Sequence, residues 1–361
     1  MSFMRMTVLV SALGLMLSAC ATLGPENVSD SGGMTVGAGK PVLASAETPP
    51  VGTAARDAAD DPAIWVDPAD RTRGVIIGTD KQAGLYVYDL AGKQLQFLPG
   101  GKPNNVDVRE GFPTASGPKV LVATSDRGRR GAGAALFFLD PATLKLSFWA
   151  AVPIDLTEPY GLCLARRGDA FLMIVNGTDG QVRQLRVAAG PDGKPQLTEE
   201  RRFAVATQPE GCVADDARGR LYLGEEGRGV WRYDLGVTAT PGVLIAEAPS
   251  QMLMPDVEGL ALLEDGAATW LIASSQGDSA FAVWKVTDAD EALYYGRFSV
   301  VEGNGVDAVT GTDGVAAAGR LVGGFPNGLI VVQDDVDTGP AGARQNFKLV
   351  DWDRVKAALG L

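Results

Sequence analysis

Three stretches of the chain repeat one pattern: Glu158-Pro159-Tyr160-Gly161-Leu162, Gln208-Pro209-Glu210-Gly211-Cys212 and Met254-Pro255-Asp256-Val257-Glu258-Gly259-Leu260. Each sets a proline, a polar residue and a glycine ahead of an apolar run. Tyr160 and Glu210 lie 50 positions apart, Glu210 and Glu258 48. One further step reaches Asp313-Gly314-Val315. Steps back reach Asn104-Asn105-Val106-Asp107-Val108 and then Asp60-Asp61-Pro62-Ala63-Ile64-Trp65. The chain thus holds six units of roughly fifty residues, a period that marks a repeat architecture.

Each unit carries a second apolar run that ends in polar residues. Residues 75–79 precede Asp80-Lys81, 120–124 precede Ser125-Asp126-Arg127, and 171–175 precede Asn176-Gly177-Thr178. Residues 221–224 precede Glu225-Glu226, 270–273 precede Ser274-Ser275-Gln276, and 329–332 precede Gln333-Asp334. Most units add a third, alternating run such as Leu85-Tyr86-Val87-Tyr88-Asp89 or Gly229-Val230-Trp231-Arg232-Tyr233, and turn signals such as Pro191-Asp192-Gly193-Lys194 separate the runs. Groups of three or four strands at this period predict an all-β fold, a six-bladed β-propeller over residues 51–361. The in-phase units weigh against a large sandwich or two stacked β domains. The last blade is expected to close by pairing a strand from around residues 41–52 with strands near the C-terminus.

Composition narrows the chemistry. The chain has 361 residues, 46% of them apolar, with 46 glycines and 21 prolines, as many tight turns require. Its net charge of −12 excludes nucleic acid as a partner, since nothing basic would displace counterions from a phosphate backbone. It allows an anionic substrate if bound cations reverse the sign of the site. There is no histidine, which rules out a Ser-His-Asp triad, a Cys-His pair, a phosphohistidine and a His-ligated zinc. Acid–base work falls to Asp, Glu, Lys, Tyr or water on a metal. Cys163 and Cys212 read first as two small core residues, with a disulfide as the other reading in an oxidising compartment. The spacing from Cys212 to Arg218 matches that of cysteine phosphatases, but the intervening Asp215 and Asp216 would repel phosphate.

Residues 1–20 read as a signal peptide, with Arg5 ahead of an apolar stretch from Met6 to Leu17. Leu17-Ser18-Ala19-Cys20 resembles a bacterial lipobox, in which Cys20 would be lipidated. An ordinary cleaved signal is the other reading. The protein is accordingly expected to be exported, either as a periplasmic or outer-membrane lipoprotein or as a free periplasmic or secreted protein. Residues 21–50, rich in Gly, Ser, Ala and Pro, read as a flexible tether. Membrane contact is expected only through the anchor, and a monomer is the default.

In a propeller the first strand of every blade lines the central channel, so equivalent positions meet there. Strand-one starts contribute Asp60, Asp61, Asn105, Asp107, Tyr160, Glu210, Asp256, Glu258, Asp307 and Asp313. Strand-two ends contribute Lys81, Arg127, Thr178, Glu226, Gln276 and Asp334. Such carboxylates repel one another strongly unless protonated or metal-bound. An all-oxygen donor set without His or Cys suits a hard cation, and several Ca²⁺ ions are expected. Taken singly, each carboxylate reads more simply as a solvated turn residue; their recurrence in phase is what carries the metal reading.

At these residues the sequence resembles the β-propeller (alkaline) phytases, from about residue 51 to the C-terminus. The likeness is carried by Asp57-Ala58-Ala59-Asp60-Asp61-Pro62-Ala63-Ile64-Trp65 and Asn104-Asn105-Val106-Asp107-Val108-Arg109. Pro255-Asp256-Val257-Glu258-Gly259-Leu260, Ser274-Ser275-Gln276-Gly277 and Gln345-Asn346-Phe347-Lys348 add to it. The resemblance implies a calcium-rich cleft at one end of the channel, where one phosphate is cleaved and a neighbouring one is held. It implies Glu210, Glu226, Asp256, Glu258, Asp307 and Asp313 as catalytic calcium ligands, with Asp60 close by. Asp61, Gln276 and Asp334 would be calcium ligands of a more structural kind, and Lys81, Arg127 and Tyr160 phosphate contacts. The implied activity is that of a 3-phytase-type phosphomonoesterase releasing phosphate from myo-inositol hexakisphosphate or similar esters by attack of calcium-bound water. Relatives often carry a Lys where Thr178 stands, which bears on the second phosphate site. The rival readings are another calcium-dependent propeller hydrolase, a phosphodiesterase or lactonase, and a non-catalytic lipoprotein used for binding.

Overall fold

Short apolar runs separated by Gly, Asp and Asn turns fold into strands that bury both faces near the centre and only one at the periphery. In the computed structural model, Gly74–Asp80 is buried at every residue, whereas the outer strand Gln94–Pro99 is largely exposed. The structure describes Met1 and residues 38–361, apart from 55–56, 129–132, 237–240, 267, 290 and 339–343. The signal peptide, Cys20 and the tether as far as residue 37 lie outside the described residues.

The strands form six sheets, and each sheet is one blade of a β-propeller. The innermost strands are Ala59–Val66, Pro103–Phe112, Pro159–Arg167, Pro209–Asp215, Leu260–Glu264 and Val315–Gly319, for blades 1 to 6 in turn. Each pairs antiparallel with the next strand outward. Antiparallel pairing puts the start of the first strand beside the end of the second, which is why the two polar sets of the sequence share one end of the channel. The core is correspondingly divided into six apolar wedges, each between the faces of two neighbouring blades.

The repeated glycine has a steric reason. A Cβ at Gly161 would overlap the carbonyl oxygen of Glu210 in the next blade, and one at Gly211 would overlap that of Glu258. A Cβ at Gly314 would meet the backbone of Asp60 and Asp61, closing the ring from blade 6 to blade 1.

Two expectations change. Residues 40–47 belong to the propeller although the expected tether overlapped them, and the expected closure by a strand from around residues 41–52 is met at Ala46–Glu47. Lys40–Leu43 adds a parallel outer strand to blade 5, and Ala46–Glu47 pairs with Arg344–Asp351 to complete blade 6. Val42 and Ala44 are buried there, which a solvated linker would not be. Cys163 and Cys212 are not merely small core residues: they form a disulfide between the inner strands of blades 3 and 4, with Cα atoms 5.6 Å apart. Their separation of 49 residues is one repeat, so the fold sets them side by side. The chain ends in a helix, Trp352–Leu359, capped by Asp351 and anchored by Trp352 in the wedge between blades 5 and 6.

Candidate active site

At the channel end where the inner strands begin, blades 1 to 4 share a defect. The register slips between Ala59 and Pro62, Pro103 and Val106, Pro159 and Leu162, and Pro209 and Cys212. Each slip is a β-bulge, which breaks strand alternation and re-aims side chains. The bulged residues are Asp60-Asp61, Asn104-Asn105, Tyr160-Gly161 and Glu210-Gly211, the polar residues of the repeat.

These bulges, with the loop before Leu260, gather an acidic cage. Glu210, Glu226 and Glu258 bring carboxylate oxygens within 4.8 Å of one another. Asn104 Nδ2 donates to Glu210 Oε1 at 2.6 Å and Gln208 Nε2 to Glu226 Oε1 at 2.5 Å, fixing both carboxylates from behind. Asp313 accepts from Gln276 Nε2 at 2.5 Å, and its own N–H donates to Gln333 Oε1. Lys81 Nζ lies 2.8 Å from Asp57 and 3.5 Å from both Asp60 and Asp313. Beside it Arg127 stacks over the Tyr160 ring at 5.3 Å and meets Glu158 at 3.3 Å. Asp256 is half-buried nearby, its carbonyl accepting from the Gln276 N–H. Asp61 points towards blade 2, where it accepts from the Val106 N–H.

The electrostatics are those of a negative charge in excess. Burial, then the Glu210 charge, pushes Glu226 up to about 8. Burial pushes Asp313 up to about 7 although Lys81 pulls against it. Asp60, Asp61, Asp256 and Glu258 are raised too, each by burial first. The Glu210 charge, then burial, raises the Tyr160 phenol, which favours the protonated hydroxyl. Burial works against the Lys81 ammonium, but Asp60 and Asp313 more than offset it. Both Asp60 carboxylate oxygens, Glu258 Oε2 and Asn104 Oδ1 are buried without a hydrogen-bond partner. Unpaired buried oxygens are costly. A cage of such donors, free of nitrogen and sulfur ligands, fits a hard, flexibly coordinated cation such as Ca²⁺.

Asp307 does not join this cage. It lies in a second cluster with Glu47 and Asp337, around the fully buried Lys348. Lys348 Nζ contacts Glu47 at 2.5 Å, Asp334 at 3.2 Å and also Asp307. The reason is an insertion: Gly211 and Gly259 are 48 residues apart, but Gly259 and Gly314 are 55. The longer repeat includes a tight bridge from Gly303 to Val306, directly before Asp307. Asp334 sits here as well, its Oδ1 accepting from the Thr310 N–H. Thr178 lies on the rim, its N–H donating to the Glu158 carbonyl.

Sequence reasoning missed the supporting residues. Asn104 stood inside a quoted motif with no role, and Gln208 directly precedes a repeat proline, so both carried a signal. Glu47 carried none, because its neighbours have the composition of a linker.

With the geometry in place, the relatives agree. A protein-family model described as Phytase matches residues 5–361. A 3-phytase of Bacillus subtilis (strain 168) is 33% identical over 365 residues, covering 98% of this chain and 93% of that protein. Among solved structures, regucalcin of Agrobacterium tumefaciens, titled a calcium-binding protein, superposes with a TM-score of 0.51 at 16% identity, over 86% of this chain and 96% of that one. A lectin of Aleuria aurantia does so with a TM-score of 0.50 at 11% identity, over 68% and 81%. The two structural likenesses bear on the propeller fold alone, whereas the family match and the sequence identity bear on the chemistry: this chain belongs to the β-propeller phytase family of phosphoric monoester hydrolases.

Proposed function

We propose that the protein is a calcium-dependent phytase that releases phosphate from myo-inositol hexakisphosphate or a closely related organic phosphate. The observation that carries this reading is the cage of Glu210, Glu226 and Glu258, set beside the two cations Lys81 and Arg127. Glu210, Glu226, Glu258, Asp313 and Asp60 would hold calcium at the cage, with Asp256 at its edge. Bound there, calcium supplies positive charge for phosphoryl oxygens and lowers the pKa of water.

The chain's own groups do the rest. Asn104 and Gln208 keep the carboxylates aimed inward, so that the donors need not reorganise when a cation arrives. Lys81 and Arg127 leave their carboxylate partners to meet phosphate oxygens, Arg127 through its planar fork. Tyr160, kept neutral, donates a hydrogen bond to a phosphate oxygen. Thr178 offers no charge on the rim, so the hold on a neighbouring phosphate falls mainly to Arg127. The disulfide removes Cys163 and Cys212 as nucleophiles, and with no histidine in the chain a direct displacement by water needs no phosphoenzyme. Export with a lipid anchor at Cys20, and a monomeric state, complete the proposal; they are read from the sequence of residues 1–20 and from the absence of any sign of an obligate partner.

The test is phosphate release from phytate in calcium against the same assay in excess chelator. Release in calcium alone is expected. Lactone or phosphodiester hydrolysis without release from phytate would favour the rival hydrolases, and no turnover at all the binding protein.

A further inference from the structure

Neighbouring inner strands meet beside the cage, and the joints differ. Where blade 6 meets blade 1, the Gly314 N–H donates to the carbonyl of Asp60 at 3.2 Å; where blade 5 meets blade 6, the Gly259 N–H donates to that of Asp313 at 3.0 Å. Backbone is tied to backbone at both, and the adjoining carboxylates inherit fixed places. Between blades 3 and 4 the corresponding tie runs through a side chain. Asn176 accepts from the Gly161 N–H and donates to the carbonyl of Glu210, both at 2.8 Å. Directly below lies the disulfide. Cys163 is three residues beyond Tyr160 and Cys212 two beyond Glu210, on the regular ladder just past each bulge.

We propose that the Cys163–Cys212 disulfide is a positioning element of the site: it sets the spacing between the bulge that presents Tyr160 and the bulge that presents Glu210. The two strands are also packed by the wedge between blades 3 and 4, in which both cysteines are buried, so apolar contacts join the blades beside the bond. What it adds is a covalent limit on how far Glu210 can drift from the phosphate-binding side of the mouth. The inference rests on the assignment of Glu210 and Tyr160 to the site made above.

Phytate hydrolysis and calcium binding by calorimetry are compared for the wild type, for C163A/C212A, and for Val187→Ala. The last makes a cavity in the third strand of blade 3, away from the cage, and controls for lost stability alone. The double variant, folded at 25 °C by circular dichroism, is expected to lose about tenfold in kcat and to bind calcium about tenfold more weakly, on the principle that sub-ångström misplacement is already costly. The control is expected to melt earlier with both values unchanged. A double variant that melts earlier yet keeps wild-type kcat and calcium affinity overturns the proposal. If the double variant does not fold, wild-type protein reduced with a phosphine below its melting temperature, its two thiols counted, gives the same reading: unchanged values overturn it. Should the wild type release no phosphate, the proposed function fails, and the calcium-binding comparison still decides the role of the bond.

Discussion

The chain builds two acidic cages and neutralises them differently. The cage of Glu47, Asp307 and Asp337 closes on Lys348, a cation supplied by the protein. Burial alone would raise Asp307, yet Lys348 and Thr338 hold it below the ordinary carboxylate range. Asp334, deeper in, is pushed by burial up to about 6 even with Lys348 beside it. The channel cage of Glu210, Glu226 and Glu258 has Lys81 only at one edge, tied to Asp57, Asp60 and Asp313, and the carboxyls of Glu226 and Glu258 are pushed up. One cage is satisfied by the fold and the other is left wanting charge. The lesson is that acidic density alone does not mark the reactive centre; the centre is where the fold withholds the counter-charge.

The contrast breaks first at Lys348. Lys348→Met removes the internal cation and strands Glu47, Asp307 and Asp334, at a cost of roughly 3–5 kcal/mol in unfolding free energy. Denaturant melts should show it, while the folded fraction keeps its kcat. Glu210→Gln acts in the opposite sense. It removes a cage charge without changing shape, and turnover of phytate is expected to fall about 10²–10³-fold with melting little changed. Near-normal turnover in that variant would remove Glu210 from the site.

Calcium removal sharpens the comparison next. A carboxyl whose pKa is higher in the fold than in the unfolded chain stabilises the fold below its ordinary value, and that contribution is lost as pH rises through the folded value. For Glu226 the window runs from 4.5 to about 8. Chelated protein should therefore melt progressively lower as pH rises across it, by a total of about 5 °C. Added calcium should reverse the slope, because it binds the ionised form. A chelated protein whose melting point is flat over this window would contradict the channel cage as described. The smallest effect is expected at Arg127, where Arg127→Ala should cost roughly 1.5–3 kcal/mol in kcat/KM, seen mainly in KM.

The propeller was legible because its joints are steric. Where the inner strands of blades 3 to 6 abut, a Cβ would collide with the backbone of the neighbouring blade, and Gly161, Gly211 and Gly259 hold those positions at nearly constant spacing. The channel cage was legible for the same reason, since Glu210 and Glu258 each directly precede one of those glycines. The second cage was not. Asp307 sits one regular step beyond Glu258, so periodicity grouped it with the channel carboxylates, whereas its contacts are with Lys348 and Thr338. Glu47 comes from a two-residue strand too short to carry a pattern. Lys348 lies on a strand buried almost throughout, where sequence alone gives no hint of which acids surround it. The disulfide was open in the sequence because small buried cysteines on adjacent strands read alike whether bonded or free.

The pairing of Ala46 with Leu349 sets a condition on how the molecule is made. The ring is latched by Ala46–Glu47 lying against the last strand, some three hundred residues away, and such distant contacts form late. During vectorial synthesis five blades can stack while the sixth still lacks its outer edge, leaving the first wedge flank bare until the C-terminus emerges. Trimming the chain to residue 48 would delete that latch and leave every residue of the channel mouth in place. Circular permutants that restore continuity across the junction should then assemble without waiting for it.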